Sequence, residues 1–155
     1  MKIVATWKDP MGFTAVDENS HTVVMDASSE AGGMGMGVSP VKLLLMGLAG
    51  CMGMDVISIL RKKRQPVTGM TITVTGERQD THPKVFREVS VDFTIQGAAV
   101  QPEAVQRALE LSADRYCTVE ATLRPQASVR HRFRLLDDTG ETCYESDWWT
   151  SEGGA

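Results

Sequence analysis

The run Ser39–Leu60, SPVKLLLMGLAGCMGMDVISIL, constrains this chain more than any other stretch. Ser39 suits the N-cap of a helix and Pro40 its first turn. Arg61, Lys62, Lys63 and Arg64 suit its C-terminal end, and Pro66 stops it. Between those ends the run is apolar nearly all the way round. A helix of that kind must lie buried, inside the protein or at an interface. Gly47, Gly50 and Gly53 recur every three residues, at a helix-propensity cost of about 1 kcal/mol each. That choice is reasonable where a second helix backbone passes close by. Cys51 sits among these glycines, with Asp55 one turn later. The run is long enough to cross a bilayer, but Lys42, Asp55, three glycines and a strand-rich remainder argue against a membrane span.

A chain of 155 residues is the size of one domain. Its net charge of −4, with basic residues scattered outside 61–64 and the Arg130, Arg132, Arg134 alternation, argues against a nucleic-acid surface. Three cysteines and no apolar leader at Met1–Lys8 point to a reducing cytoplasm, not to a disulfide scaffold. His21, His82 and His131 have no ligand spacing with one another or with the cysteines, so no metal site is expected. The thioether pairs Met34-x-Met36 and Met52-x-Met54 could take Cu(I), although flexible core filling is the weightier reading. Ser39-x-x-Lys42 lacks the companion motifs of penicillin-binding enzymes, and Ser39 is better read as a helix cap. No cofactor is expected.

Taken in order, residues 2–8, 11–16 and 21–26 predict three short strands in a meander, separated by turn residues. Ala27–Val38 is rich in Gly and Ser: a mobile loop able to cover a site near Cys51, or a plain connector. After the central helix, residues 70–76 and 85–96 alternate as an antiparallel hairpin. Pro102 opens a second helix that places Val105, Ala108, Leu109, Ser112 and Tyr116 on one face and delivers Cys117; Thr118–Leu123 continues as a further helical turn. Residues 127–136 alternate again, burying Val129, His131, Phe133 and Leu135. The division expected is one α+β domain over 1–136 and an acidic tail over 137–155. That tail is either flexible or, because Trp148 and Trp149 are costly to leave in water, docked on a partner subunit.

Cys51 and Cys117 are the candidates for chemistry. A thiolate attacks a peroxide, and a second thiol then condenses with the sulfenic acid to give a disulfide, which requires the two sulfurs to be close in space. The plainer reading is two buried cysteines acting as small apolar residues. PVKLLLMGLAGCMGMDVISIL together with LSADRYCTVEATL resembles the OsmC/Ohr family of osmotically inducible and organic-hydroperoxide-resistance proteins, nearest to its YhfA-like branch. The resemblance runs over roughly residues 1–136. It implies antiparallel strands around a long buried central helix and an intertwined homodimer. It also implies a peroxidatic cysteine at Gly50-Cys51 and a resolving cysteine at Tyr116-Cys117. Cys143 lies outside the match.

The chain departs from that family at one ion pair. Family members use an N-terminal arginine to hold the thiolate and a glutamate in the first turn of the central helix to orient it. Here no arginine precedes Arg61, and Lys42 stands at the glutamate position beside Val41. On a straight helix Lys42 and Cys51 face opposite sides, about 13.5 Å apart along the axis. Lys42 would therefore need a kink or a second subunit to reach the thiol. Asp55 would oppose thiolate formation unless Arg115 or another cation neutralises it. Two functions are expected as alternatives. One is a thiol peroxidase for small organic hydroperoxides, regenerated by a dithiol reductant, with Met46, Met52 and Met54 lining an apolar pocket. The other is a binding protein of the same fold that holds a small lipophilic ligand at the dimer interface.

Overall fold

The computed structural model describes residues 1–151. It divides into two compact units, Met1–Leu44 and a C-terminal unit that begins at Leu45. Helix α1 (Pro40–Lys62) crosses that boundary.

In the N-terminal unit, β1 (Ile3–Lys8), β2 (Gly12–Asp17) and β3 (Thr22–Met25) form an antiparallel meander in the order β1-β2-β3. The loop after β3, expected either as a mobile cover or as a plain connector, is tied to a single carboxylate. Asp26 accepts the backbone N–H groups of Ala27 (2.8 Å), Met34 (3.1 Å) and Met36 (3.1 Å). These bonds, led by the one from Met36, hold its carboxyl below the ordinary value against the opposing effect of burial. The loop wraps so tightly that a Cβ on Gly37 would stand 2.7 Å from the Met25 carbonyl carbon. Val38 closes the loop, bonding the carbonyl of Val24 at 3.0 Å.

In the C-terminal unit the main sheet has the order β4-β5-β6-β7. Strands β4 (Gly69–Arg78) and β5 (Phe86–Gln96) make the expected antiparallel hairpin. Strand β6 (Ser128–Leu136) runs parallel to β5, pairing Val89 with Val129 and Phe93 with Phe133. The all-antiparallel expectation is thereby corrected. A helical crossover between β5 and β6 returns the chain to the same end of the sheet, and a parallel neighbour is the outcome. The inward positions Val89, Val91, Phe93 and Ile95 meet Val129, His131, Phe133 and Leu135, all fully or almost fully buried.

The segment after Leu136 also differs from expectation. Strands β7 (Thr142–Glu145) and β8 (Trp149–Thr150) pair antiparallel with successive parts of β6 in their own chain. Trp149 rests on His131 with ring centroids 4.5 Å apart, and Tyr144 stacks on Phe133 at 5.4 Å. Trp148 covers the guanidinium groups of Arg130 and Arg132 at 5.0 and 4.5 Å. The open edge of β6 needed hydrogen-bonding partners, and this segment supplies them. Residues 152–155 of the expected tail lie outside the described residues.

Helix α1 is covered only in part. Leu48, Met52, Gly53, Val56 and Leu60 are buried, but Leu44, Met46 and Met54 remain exposed. The helix has one covered face within a single chain, not a covered circumference. Nor do the glycines bring two helices together as a stripe. A Cβ on Gly53 would meet Ile72 of β4 at 2.7 Å, one on Gly47 would touch Val119 at 3.9 Å, and one on Gly50 would meet nothing within 4 Å.

Candidate functional site

The site forms where α1 faces the crossover between β5 and β6. Helix α2 (Pro102–Leu111) starts at Pro102 and buries Ala104, Val105, Ala108 and Leu109. It then widens into a single π turn, Ser112–Tyr116, closed by the Cys117 N–H on the Ser112 carbonyl at 2.8 Å. Such a wide turn inserts a residue into the helical register and redirects the chain beyond it. Cys117 leaves it extended (φ −74°, ψ 96°) and caps the short helix α3 (Thr118–Leu123), its sulfur accepting the Glu120 N–H at 3.4 Å.

Successive turns of α1 meet this crossover in order. Gly47 faces Val119 across the space for one Cβ, and Asp55 accepts a hydrogen bond from the Ser112 hydroxyl at 3.0 Å. Between them Cys51 stands on the turn of α1 that faces the crossover bearing Cys117. Cys51 is half-buried, Cys117 is buried, and both are free thiols. Burial first, and then Cys51, push the Cys117 thiol up to about 12; the Glu120 N–H pulls the other way.

Behind Cys117 lies a charged cluster that periodicity alone does not reveal. Glu120 is wholly buried, and its Oε1 takes Ser151 Oγ at 2.8 Å, Arg124 Nη2 at 3.0 Å and His131 Nε2 at 3.1 Å. Burial pushes this carboxyl up, but the bonds from His131, Ser151 and Arg124 outweigh it and hold the group below its ordinary value. Arg124 also donates to the Ala113 carbonyl and stands 3.7 Å from Asp114. It thereby ties the π turn to α3. The one signal in the sequence was the helical spacing Cys117, Glu120, Arg124, a cap followed by an i,i+4 ion pair.

Other sequence candidates are dispersed. Lys42 belongs to the N-terminal unit, where it lines a cleft of about 630 Å³ with Met11, Phe13, Met25 and Asp26. Asp55 is bonded by the Ser112 hydroxyl, and Arg115, one of the cations that could neutralise it, makes no ion pair among the described residues. The expected methionine lining separates: Met52 is in the core, whereas Met46 and Met54 stay at the surface. Cys143, exposed, bonds the Leu135 carbonyl at 3.5 Å. Among the described residues no group of three His, Cys, Asp or Glu side chains could hold a metal ion.

The family model for OsmC-like protein matches residues 32–132, a span that includes both α1 and the Cys117 crossover. The chain belongs to the OsmC-like family. Among proteins similar to it is YhfA of Escherichia coli K12, 30% identical over 136 residues that cover 88% of this chain and 98% of YhfA. The crystal structure of a hypothetical protein from Aquifex aeolicus VF5 is 26% identical, covers 88% of this chain and 96% of its own, and superposes with a TM-score of 0.78. An organic hydroperoxide resistance protein OsmC from Legionella pneumophila shares the fold at a TM-score of 0.62, with 13% identity over 86% of this chain and 96% of its own. Cys51 and Cys117 both lie within the matched residues.

Proposed function

We propose that this OsmC-like chain is a thiol peroxidase for small organic hydroperoxides, with Cys51 as nucleophile and Cys117 as resolver. The observation that carries this reading is the placement of half-buried Cys51 between two turns of α1 that meet the crossover bearing buried Cys117, Gly47 at Val119 and Asp55 at Ser112. The Cys51 thiolate attacks the distal peroxide oxygen. The O–O bond breaks, the alcohol leaves with a proton, and Cys51 becomes a sulfenic acid. The Cys117 sulfur then attacks Cys51, hydroxide departs with the thiol proton as water, and a disulfide forms. A dithiol reductant returns both cysteines to thiols by exchange. The reaction belongs to a reducing compartment such as the cytoplasm, as the three free thiols would require.

Reduced protein should consume one equivalent of cumene hydroperoxide and lose two thiols, with a Cys51–Cys117 disulfide in peptides mapped without reduction. Cys51→Ser should abolish that consumption. An unchanged rate in Cys51→Ser removes the assignment.

A homodimer accompanies this reading. Ile3, Val4, Trp7, Phe13, Val23 and Val24 of the N-terminal sheet are exposed, as are Leu44, Met46 and Met54 on α1. So much apolar surface calls for a second copy of the chain. Gly50, open within one chain, would then permit close approach of the partner. Light scattering at micromolar concentration should give twice 16.9 kDa. A monomer under those conditions rules the dimer out.

A second reading draws on the N-terminal cleft. Met11, Phe13, Met25 and Pro40 give it an apolar lining, with Asp26 and Lys42 as its charged groups. That composition suits a small lipophilic ligand with one polar end. Titration of a nonpolar fluorescent probe, with Phe13→Asp as the control, separates ligand binding from thiol chemistry.

A further inference from the structure

Cys117 sits at a break between two helical arms. The chain arrives through the π turn Ser112–Tyr116, passes Cys117 in an extended conformation, and leaves through α3. We propose that Arg124 is the positioning residue of this joint: by bonding both arms, it holds the Cys117 sulfur where it can attack a Cys51 sulfenic acid. The inference rests on Cys117 being the resolver of the reading above, and adds the residue that aims it.

A continuous helix fixes the direction of successive turns through its backbone ladder. An extended residue gives that up, so the angle between the arms depends on other bonds. The backbone bonds at the joint serve one arm each: the Cys117 N–H on the Ser112 carbonyl at 2.8 Å, and the Ala121 N–H on the Cys117 carbonyl at 3.0 Å. Arg124 spans the two. Its Nη2 donates to the Ala113 carbonyl in the π turn and, at 3.0 Å, to Glu120 Oε1 in α3. The same nitrogen stands 3.7 Å from Asp114, again in the π turn. Both ends of this span are fixed in turn. The Arg124 N–H closes α3 on the Glu120 carbonyl at 2.9 Å, and His131 and Ser151 anchor the Glu120 carboxylate at 3.1 and 2.8 Å.

The arms also meet α1 on either side of Cys51. Ser112 bonds Asp55 at 3.0 Å, and Val119 lies 3.9 Å from where a Cβ on Gly47 would stand. The angle between the arms therefore decides how Cys117 is presented to the turn that carries Cys51. Resolution depends on that presentation, because the Cys117 sulfur must line up with the S–O bond as it breaks and hydroxide leaves with the thiol proton as water. Formation of the sulfenic acid involves only Cys51 and the peroxide. A sulfenic acid left waiting is oxidised by a second hydroperoxide to sulfinic acid, with release of the alcohol.

The test is the fate of Cys51 under increasing cumene hydroperoxide, read on its peptide by mass as disulfide to Cys117 or as sulfinic acid. Arg124→Met keeps the bulk and removes the donors. It should lower the concentration that gives the two products equally by at least about tenfold, with the first peroxide consumed at the parent's rate. Arg124→Lys keeps a cation beside Glu120 but has a shorter reach and no fork. Its urea midpoint should return toward the parent's while its product ratio stays with Arg124→Met, whereas a residue that only stabilises the fold would move both together. A parent-like ratio in either folded variant overturns the proposal, and Arg124→Lys alone decides if Arg124→Met does not fold. A first step slowed as much as the second also overturns it, because that marks general damage at the site. Saturating diamide, which takes both thiol hydrogens onto its azo bond, separates this role from peroxidase activity. A parent that ignores hydroperoxide yet closes the Cys51–Cys117 disulfide with diamide at least about tenfold faster than the variants refutes the peroxidase and leaves Arg124 its role. Equal diamide rates overturn that role, and a parent that closes no such bond with either oxidant overturns both.

Discussion

Glu120→Ala should cost about 3–5 kcal/mol of folding stability, the range found when one partner of a buried ion pair is removed. Glu120 is wholly buried, and three donors from three segments converge on one of its oxygens: Arg124 in the turn after α3, His131 on β6 and Ser151 after β8. Alanine leaves His131 and Ser151 buried without their acceptor and creates a cavity beside Cys117. Arg124 retains Asp114 at 3.7 Å and is partly solvated, which places the cost toward the lower end of the range. The check is the urea midpoint at pH 7 and fixed protein concentration, with an unchanged slope. A pH series adds the sign. The Glu120 carboxyl is held below its ordinary value in the fold, so its contribution is present above the unfolded value of about 4.3 and is lost as pH falls through the folded one. The gap between parent and variant should therefore narrow in acid. A loss under about 1 kcal/mol at pH 7 would mean that the carboxylate is not the hub of this cluster.

The parts of this fold that could be read from the sequence are those with a strong local period. The alternation of Val89, Val91, Phe93 and Ile95, and of Val129, Phe133 and Leu135, gave two buried strands whose inward residues are those expected. Pro40 and Pro102 marked helix starts, and both helices begin there. The direction of β6 was not legible, because period-2 patterning states which face is buried and not which neighbour pairs. For α1 the apolar circumference called for more cover than one chain readily gives, and Leu44, Met46 and Met54 are exposed within a single chain. Glycine spacing misled for a related reason. Gly53 accommodates a side chain from β4, a contact no spacing within the helix can encode. At the site, the two cysteines were visible as chemistry, and the resemblance supplied their pairing. Glu120 was not visible, because a glutamate on a short helix reads as a solvated residue until β6 and the chain after Thr150 close over it.

The segment after Leu136 gives the second large effect. A chain ending at Leu136 should be folded poorly or aggregate, with at least about 3 kcal/mol lost, comparable to deleting a buried aromatic side chain. A flexible acidic tail could be removed without consequence, and the acidic, Gly/Ser/Thr-rich composition of 137–155 favours that outcome. The structure opposes it on four counts. Truncation removes Tyr144 from Phe133 and Trp149 from His131. It takes Trp148 from Arg130 and Arg132, and Glu145 from Arg132, whose bond is 2.9 Å. It deprives Glu120 of the Ser151 hydroxyl. It also opens the edge of β6 from Arg130 to Leu136, leaving unpaired backbone groups of the kind that pair between molecules. Thermal unfolding of the truncated chain, compared with the parent at one concentration, measures the loss. Size-exclusion profiles report the exposed edge. Trp149→Ala in the full chain isolates the packing on His131 from the strand pairing, and its loss should be smaller than that of the truncation. If the truncated chain melts with the parent and elutes as the same species, then residues 137–151 contribute nothing to the fold, and the edge of β6 is protected by some other element.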